Sequence, residues 1–241
     1  MTDDLPWRAV SGDAPALLIS DHASSRVPDG IDLGVPAEIM GEHVAIDIGV
    51  DPLGRALCAR LGMAGIFGNV SRLVIDLNRE ADAAGLIPET SDGHPIPGNA
   101  GLDAEARGRR LAHFWLPYHA HVENSISASK PKLLVSLHSF TPSLRTGGAP
   151  RPWQVGVLYN RDERAARIAI PLLEAAGIVT GDNEPYSGKV LNATMNRHGE
   201  GNGIPYLGLE VRQDLIGDQA GVAVWCDRLA PIIQATLDVF C

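Results

Sequence analysis

Cysteine is scarce: only Cys58, Cys226 and Cys241 occur in the 241-residue chain, far apart and odd in number. With no CxxC pair, neither a thiolate zinc site nor a thioredoxin-like redox pair is supported. The three read as buried or terminal thiols of a reducing compartment. Positive charge is also short. Twenty Lys and Arg against 29 Asp and Glu leave a formal net charge of −9, which argues against a nucleic-acid or anionic-membrane surface. No run of about 18 apolar residues is present, so no transmembrane helix is expected. The start, MTDDLPWRAVSGD, is acidic and lacks an apolar h-region, so a secretory signal is not expected either. Repeats, low-complexity tracts and long linkers are missing as well. The expectation is a cytoplasmic protein with one domain over residues 1–241, large enough to need no disulfide or structural metal.

What is present is an alternation of strand-like and helix-like segments. Residues 16–20 (ALLIS) follow Pro15 as a short apolar run and read as a buried strand. Residues 51–61 carry helical spacing and stop at Gly62. Residues 72–77 (RLVIDL) are apolar and β-branched, a second expected strand. Residues 85–101, rich in Pro, Gly and Asp, read as a long irregular loop, and such loops are usually functional. A long amphipathic helix is expected over 102–129, with a break at Pro117. Further strands fall at 132–137, 154–159 and 204–211, with helices at 162–176 and 219–240. The pattern predicts an α/β fold of three layers, α/β/α, with a mixed, mostly parallel central sheet. Ligands in such sheets bind at the carboxyl ends of the strands.

Polar residues gather at those ends. DHASSR follows the first strand, SLHSF closes the 132–137 strand, and LEVRQD lies in the 204–211 strand. His22 and His138 can therefore converge, and neutral imidazole is a favoured zinc ligand. A catalytic zinc ordinarily takes a third protein ligand and leaves a place for water. Asp47, in an otherwise apolar run before a helix, is preferred for it. Asp51 is the competitor, but it precedes Pro52 and suits a helix N-cap. The HxxE spacing common in zinc hydrolases is absent, since Ser25 occupies the fourth place of the stretch that begins at His22. Glu210 sits in an apolar strand, where an unpaired carboxylate is costly. It needs a guanidinium (Arg72, or Arg212 two places on) or a metal-bound water, from which it could take a proton as general base. Arg79 can clamp a substrate carboxylate with its planar fork while Asn78 adds a neutral donor.

Six segments, DHASSRVP, HVAIDIGVD, SRLVIDLNRE, SLHSF, NEPYSG and LEVRQDLI, occur in order over residues 21–216. Together they resemble the N-formylglutamate amidohydrolase family, with DHASSRVP and LEVRQDLI looking like a divergent branch. That family is similar in fold to the zinc carboxypeptidases and aspartoacylases, a mixed sheet sandwiched by helices. The resemblance implies a metal amidohydrolase acting on a small N-acyl amino acid with free carboxylates. It implies His22 and His138 as histidine ligands and Asp47 as the acidic ligand of one Zn²⁺ or another divalent ion. Asn78 and Arg79 resemble the pair that holds a substrate carboxylate, and Glu210 resembles the general-base glutamate. The alternatives are a carboxypeptidase- or aspartoacylase-like deacylase, or a non-catalytic carboxylate-binding protein on the same fold.

Other polar residues carry weaker expectations. Arg72 is read as a second substrate contact or a structural arginine. Tyr186, in NEPYSG, could donate a hydrogen bond to substrate. His198 is either a helix-end cation or an oxyanion stabiliser. His119 and His121, two apart on a helix, point to different sides and cannot share one ion. His94 is a candidate residue of a lid. Nothing in the sequence specifies an oligomeric state.

Overall fold

The computed structural model describes residues 4–147 and 149–241. β1 (Trp7–Val10) and β2 (Ala16–Ser20) lead to α1 (Val50–Leu61) and β3 (Ala64–Gly68). A small hairpin, β4 (Thr90–Ser91) and β5 (His94–Pro95), lies inside the long Pro- and Gly-rich segment. α2 (Ala104–Arg110) passes through a π turn (Leu111–Trp115) into α3 (Leu116–Ser129). β6 (Leu133–Phe140), β7 (Val155–Leu158), α4 (Arg164–Ala175) and β8 (Thr180–Asp182) follow. α5 (Ala193–His198), β9 (Tyr206–Arg212) and α6 (Gln219–Asp238) complete the order.

One sheet runs β1-β3-β2-β6-β9-β7-β8. Its centre is parallel, β3 to β2 to β6 to β9, and β8 pairs parallel with β7. Within this sheet, among the described residues, only the β1–β3 and β9–β7 pairings are antiparallel. β2 and β6 are buried along their whole length, as strands covered on both faces must be, and this is why their sequences read as unbroken apolar runs. Leu18 meets α1, whose Gly54 has no Cβ and so lets the Phe67 ring lie against the helix. Asp21, three residues along, faces the other way and accepts a hydrogen bond from Tyr118 of α3. Helices therefore cover both faces, with α6 packed on α1 and α4, and α3 beside α5. No helix among the described residues is long and apolar enough to cross a membrane.

Two expectations need correction. Residues 72–77 are not a strand but a run of turns. The N–H groups of Val74 and Ile75 both donate to Ser71 O, and that of Asp76 donates to Leu86 O, so none enters a ladder. Leu73, Val74, Ile75 and Leu77 are nonetheless fully buried. A short apolar run reports burial, and burial alone does not distinguish a strand from a packed turn. The strand that does pair here is β3, immediately after α1. The long helix, in turn, does not break at Pro117. Proline sits in the first two positions of α3, and the irregularity is the π turn just before it. Such a turn relaxes the hydrogen-bond pattern that a proline interrupts.

Gly49 sets the entry to α1. Its φ is +81°, a left-handed conformation that costs other residues roughly 1–2 kcal/mol. A Cβ at this position would also run into the Ile216 carbonyl. Gly49→Ala is expected to lower the melting temperature by at least about 5 °C, given that 1 kcal/mol shifts a domain of this size by roughly 2–4 °C. A melt matching the parent's would show that the turn tolerates a side chain.

Candidate metal centre

The three parallel central strands deliver the site. His22 lies two residues beyond β2, His138 is within β6 and Glu210 is within β9. His138 and Glu210 are direct partners in the β6–β9 register, so their side chains stand side by side on one face. Gly156 opposes Glu210 from β7, and the missing Cβ lets the chain near Glu184 pass close behind it. Asp47 comes from the turn before α1. Its N–H donates to His22 O, while Ser139 clamps the same turn by donating its hydroxyl to Ile48 O. Asp51 does not approach. It pairs with Arg8 and Arg55, and Gly49 rather than Asp51 is the N-cap of α1.

His22, Asp47 and His138 are all buried, and one ligand atom from each lies within 4.8 Å of the others. Asp47 Oδ2 is 2.8 Å from His138 Nδ1 and 3.4 Å from His22 Nδ1. The other nitrogen of each ring meets a second carboxylate: His22 Nε2 is 2.7 Å from Asp76 Oδ1 and His138 Nε2 is 3.3 Å from Asp21 Oδ2. Histidines that bind metals are commonly oriented by a carboxylate on the far nitrogen. Among the buried polar atoms without a hydrogen-bond partner are His22 Nδ1 and Glu210 Oε2. An unpaired buried lone pair is costly, so a donor set with open positions fits a cation. Two imidazoles and a carboxylate are what zinc and its neighbours accept.

Charge is concentrated here. Burial opposes ionisation of Asp47, yet His22 and His138 outweigh it and hold the carboxyl well below its ordinary range. Burial and Arg72 both push His22 down, but Asp76 and Asp47 raise it overall. His138 stands well above its usual value, its burial overcome by Asp21 and Asp47. Glu210 behaves in the opposite way to the aspartates: burial pushes its carboxyl up to about 7, Asp47 adding to the effect while His138 and Arg72 oppose it. Within one site, one carboxylate is held ionised and another is poised near neutrality, the division that acid–base chemistry requires.

The remaining expected residues separate into two groups. Arg72, Asn78, Arg79 and Tyr186 line the same cavity of about 220 Å³ as the metal residues and Glu210. Arg72 bridges Asp47 Oδ1 at 3.2 Å and Asp76 Oδ2 at 3.1 Å, so it braces the carboxylates. Asn78 accepts a hydrogen bond from Thr194 N, which fixes its amide. Arg79 is held only loosely, with Nε 3.7 Å from Asp76 Oδ2. Tyr186 lies under Arg151, which also donates to its hydroxyl. His198, by contrast, is buried away from the cavity, its Nε2 2.9 Å from His119 Nδ1. Burial lowers both of those rings to about 4, so each is neutral at physiological pH. His121 stacks on Trp7, and His94 approaches Glu42 at 3.5 Å. Neither His94 nor His121 is among the cavity residues.

Sequence reasoning missed two carboxylates. Asp76 stands alone in the apolar run 72–77, the same signal that singled out Glu210, but reading that run as a strand hid its approach to His22. Asp21 follows a fully apolar strand and is itself completely buried. Besides Tyr118 it accepts from Thr194 Oγ1 at 2.9 Å. His43, another cavity residue that was not anticipated, is fastened to Asp92 at 3.0 Å.

Residues 14–217 match the family model described as N-formylglutamate amidohydrolase. An N-formylglutamate deformylase from Pseudomonas aeruginosa is 31% identical over 157 residues, a match covering 58% of this chain and 58% of that protein's length. The solved structure of an Agrobacterium tumefaciens gene product superimposes with a TM-score of 0.93 at 26% identity, over 98% of this chain and 96% of that one. An N-formylglutamate amidohydrolase from Ralstonia eutropha shares the fold, with a TM-score of 0.77 at 21% identity over 97% and 96% of the two chains. With most of its length matched by the family model, the chain belongs to the N-formylglutamate amidohydrolase family.

Proposed function

We propose that the protein is a zinc-dependent amidohydrolase that cleaves the amide bond of an N-acyl amino acid of the N-formylglutamate type. The observation that carries the reading is the juxtaposition of a three-residue metal-competent cluster with a carboxyl, Glu210, whose buried Oε2 lacks a hydrogen-bond partner and which is poised near neutrality. His22, Asp47 and His138 would hold the ion. When bound, the ion supplies Lewis acidity, polarising the scissile carbonyl and acidifying a water. Glu210 takes the proton from the attacking water and passes it to the departing nitrogen. The neutral amine then leaves, and the acyl group departs as the carboxylic acid. Asp76 and Asp21 keep the two imidazoles oriented through their far nitrogens, and Arg72 restrains Asp47 and Asp76 together. Arg79 clamps the substrate carboxylate, and Asn78, its amide fixed by Thr194, lends a neutral contact.

The direct test is release of formate from N-formyl amino acids by chain stripped with a chelator and then reloaded with zinc. Reloaded protein is expected to turn over and stripped protein to be inactive. Equal rates in both would remove the ion from the reaction. The pH profile carries a further expectation. Glu210 must be ionised to act as base, so kcat/KM falls as pH drops through its pKa. Burial, partly opposed by His138 and Arg72, places that pKa at about 7, and the positive charge of a bound ion moves it downward. The acid limb is therefore expected below pH 7, and a rate independent of pH from 4 to 7 would contradict it.

Arg79→Leu is expected to raise KM and lower kcat/KM about 10²-fold, the scale of losing a charge-assisted bidentate contact of roughly 1.5–3 kcal/mol. Activity on an N-formyl amine without a carboxylate should not change. An equal loss on both substrates would assign Arg79 a purely structural part.

A further inference from the structure

A substrate with two carboxylates brings both charges into a cavity already lined by Asp47, Asp76 and Glu210, so each needs a cationic or proton-donating partner. Five side chains of the lining can carry positive charge: His22, His43, Arg72, Arg79 and His138. His22 and His138 belong to the metal cluster. Both terminal nitrogens of Arg72 are committed, one to Asp47 at 3.2 Å and one to Asp76 at 3.1 Å. Withdrawing them would leave two buried carboxylates short of their counter-charge. Arg79 is open. Its side chain is 37% exposed, and its one ion pair among the described residues is the 3.7 Å approach of Nε to Asp76. Its fork can grip one carboxylate. Asn78 stands next to it with only Oδ1 engaged, by Thr194 N, so its amide NH2 can join the same grip. Of the five, His43 is left for a second carboxylate.

His43 enters the cavity from the turn ahead of Asp47. Its side chain is 23% exposed, and Nε2 lies 3.0 Å from Asp92 Oδ2. An ionised carboxylate only accepts, so Nε2 carries the proton of that bond. Asp92, at the tip of the β4–β5 hairpin, also accepts from Arg145 N, Thr146 N and the Thr146 hydroxyl. Burial opposes its ionisation, yet these bonds and His43 bring the carboxyl down to about 2, so Asp92 is an anion at working pH. Glu42 approaches His94 of the same hairpin at 3.5 Å, a second tie between turn and hairpin. The ring is thus oriented through one nitrogen, while Nδ1 makes no hydrogen bond among the described residues. We infer that His43, positioned by Asp92, binds the second carboxylate of the substrate through Nδ1, a role that rests on the amidohydrolase reading above. With an anion at each nitrogen the ring is held as the imidazolium and donates from both. The cavity's other donors bring no charge. The Tyr186 hydroxyl accepts from Arg151 and, kept neutral by burial, offers one uncharged hydrogen bond. The Ser139 and Thr141 hydroxyls are taken by Ile48 O and Ser143 O.

N-formyl-L-glutamate and N-formyl-L-glutamine have nearly the same shape and differ by one charge, so their ratio isolates the second carboxylate. The zinc-loaded chain is expected to favour the glutamate compound in kcat/KM by at least about tenfold, the scale of one hydrogen bond to a charged group. His43→Gln should bring that ratio down at least about tenfold, mainly through KM for the glutamate compound. Asp92→Asn, which keeps an acceptor for Nε2 but no charge, should lower the ratio in the same direction by less. A ratio in His43→Gln equal to the parent's, or no preference for glutamate in the parent, overturns the role of His43. A parental ratio in Asp92→Asn alone strikes Asp92 from it. If no compound is hydrolysed, the hydrolase reading falls, and titration calorimetry on the same zinc-loaded proteins then reads the preference as binding. A preference for glutamate that His43→Gln abolishes supports the role of His43 there, and the same ratio of affinities in both proteins overturns it.

Discussion

Replacing Glu210 by glutamine is expected to reduce amide hydrolysis by about 10²–10⁴-fold, the span associated with a positioned general acid–base group, while metal content stays at the parent level. Glutamine keeps the length and volume of the side chain, so the β6–β9 register and the close packing at Gly156 have no reason to change. It removes only the ability to accept and return a proton. The same variant should also be more stable at alkaline pH. The pKa of Glu210 is raised in the fold, to about 7 from 4.5, so between these values the native state holds the proton more tightly than the unfolded chain does. The contribution of this proton to stability is complete below about 4.5 and is lost as pH rises through 7. Above that the native state carries a carboxylate whose Oε2 is buried without a hydrogen bond, at a cost of about 3 kcal/mol in the metal-free chain. Glutamine avoids the cost. Melting the metal-free variant and parent at pH 8 should show the variant higher, with formate release and metal content measured in parallel. Unchanged turnover would remove Glu210 from the mechanism whatever the melts show.

Asp47→Asn is expected to weaken zinc binding by more than the roughly 10–100-fold that loss of an outer-sphere partner costs. Asp47 does three things at once. Oδ2 faces both imidazoles, Oδ1 receives Arg72, and Ser139 N donates to Oδ2 at 3.3 Å. An amide turns one oxygen into a donor, which must then point either at Arg72, already a donor to Oδ1, or at His138 Nδ1, displacing the ligand oxygen that faces the imidazoles. The metal-free variant should also lose stability. Breaking a buried ion pair by removing one partner costs about 3–5 kcal/mol, and here the lower end applies because Arg72 keeps Asp76. Competition with a chromophoric chelator measures the affinity. Thermal melts supply a second readout: at 100 times its Kd, zinc stabilises the parent by about 2.7 kcal/mol, and the same zinc concentration should move the variant much less. An affinity equal to the parent's would exclude Asp47 as a ligand.

Much of this was readable before any coordinates. The runs 16–20 and 132–137 are apolar because a central parallel strand is covered on both faces, and each was found within a few residues of its true bounds. The amphipathic segments that became α1, α4 and α6 were legible for a similar reason, since a helix packed on one side must repeat its apolar residues with the turn. His22, His138 and Glu210 announced themselves by an economic rule of the interior: a charged or ligating group placed beside such strands needs a partner there. Where the reading failed, two different structures made the same demand on composition. Residues 72–77 are as apolar as a strand because they are as buried as one, and only their hydrogen bonds to Ser71 and Leu86 reveal the turn.

The amino-acid order by itself determined the alternation of elements, the mixed α/β class and the short list of groups able to do metal and proton chemistry. It determined these because burial and periodicity are local demands, written into each segment separately. Which groups meet was decided by the tertiary structure. The β6–β9 register sets Glu210 beside His138, the turn at Gly49 brings Asp47 between the two imidazoles, and the packed turn 72–77 carries Asp76 to His22 and Arg72 to both acids. The same packing paired His198 with His119, outside the cavity lining. Contacts between residues distant in the chain depend on how separate elements dock, and no local pattern of residues encodes that docking.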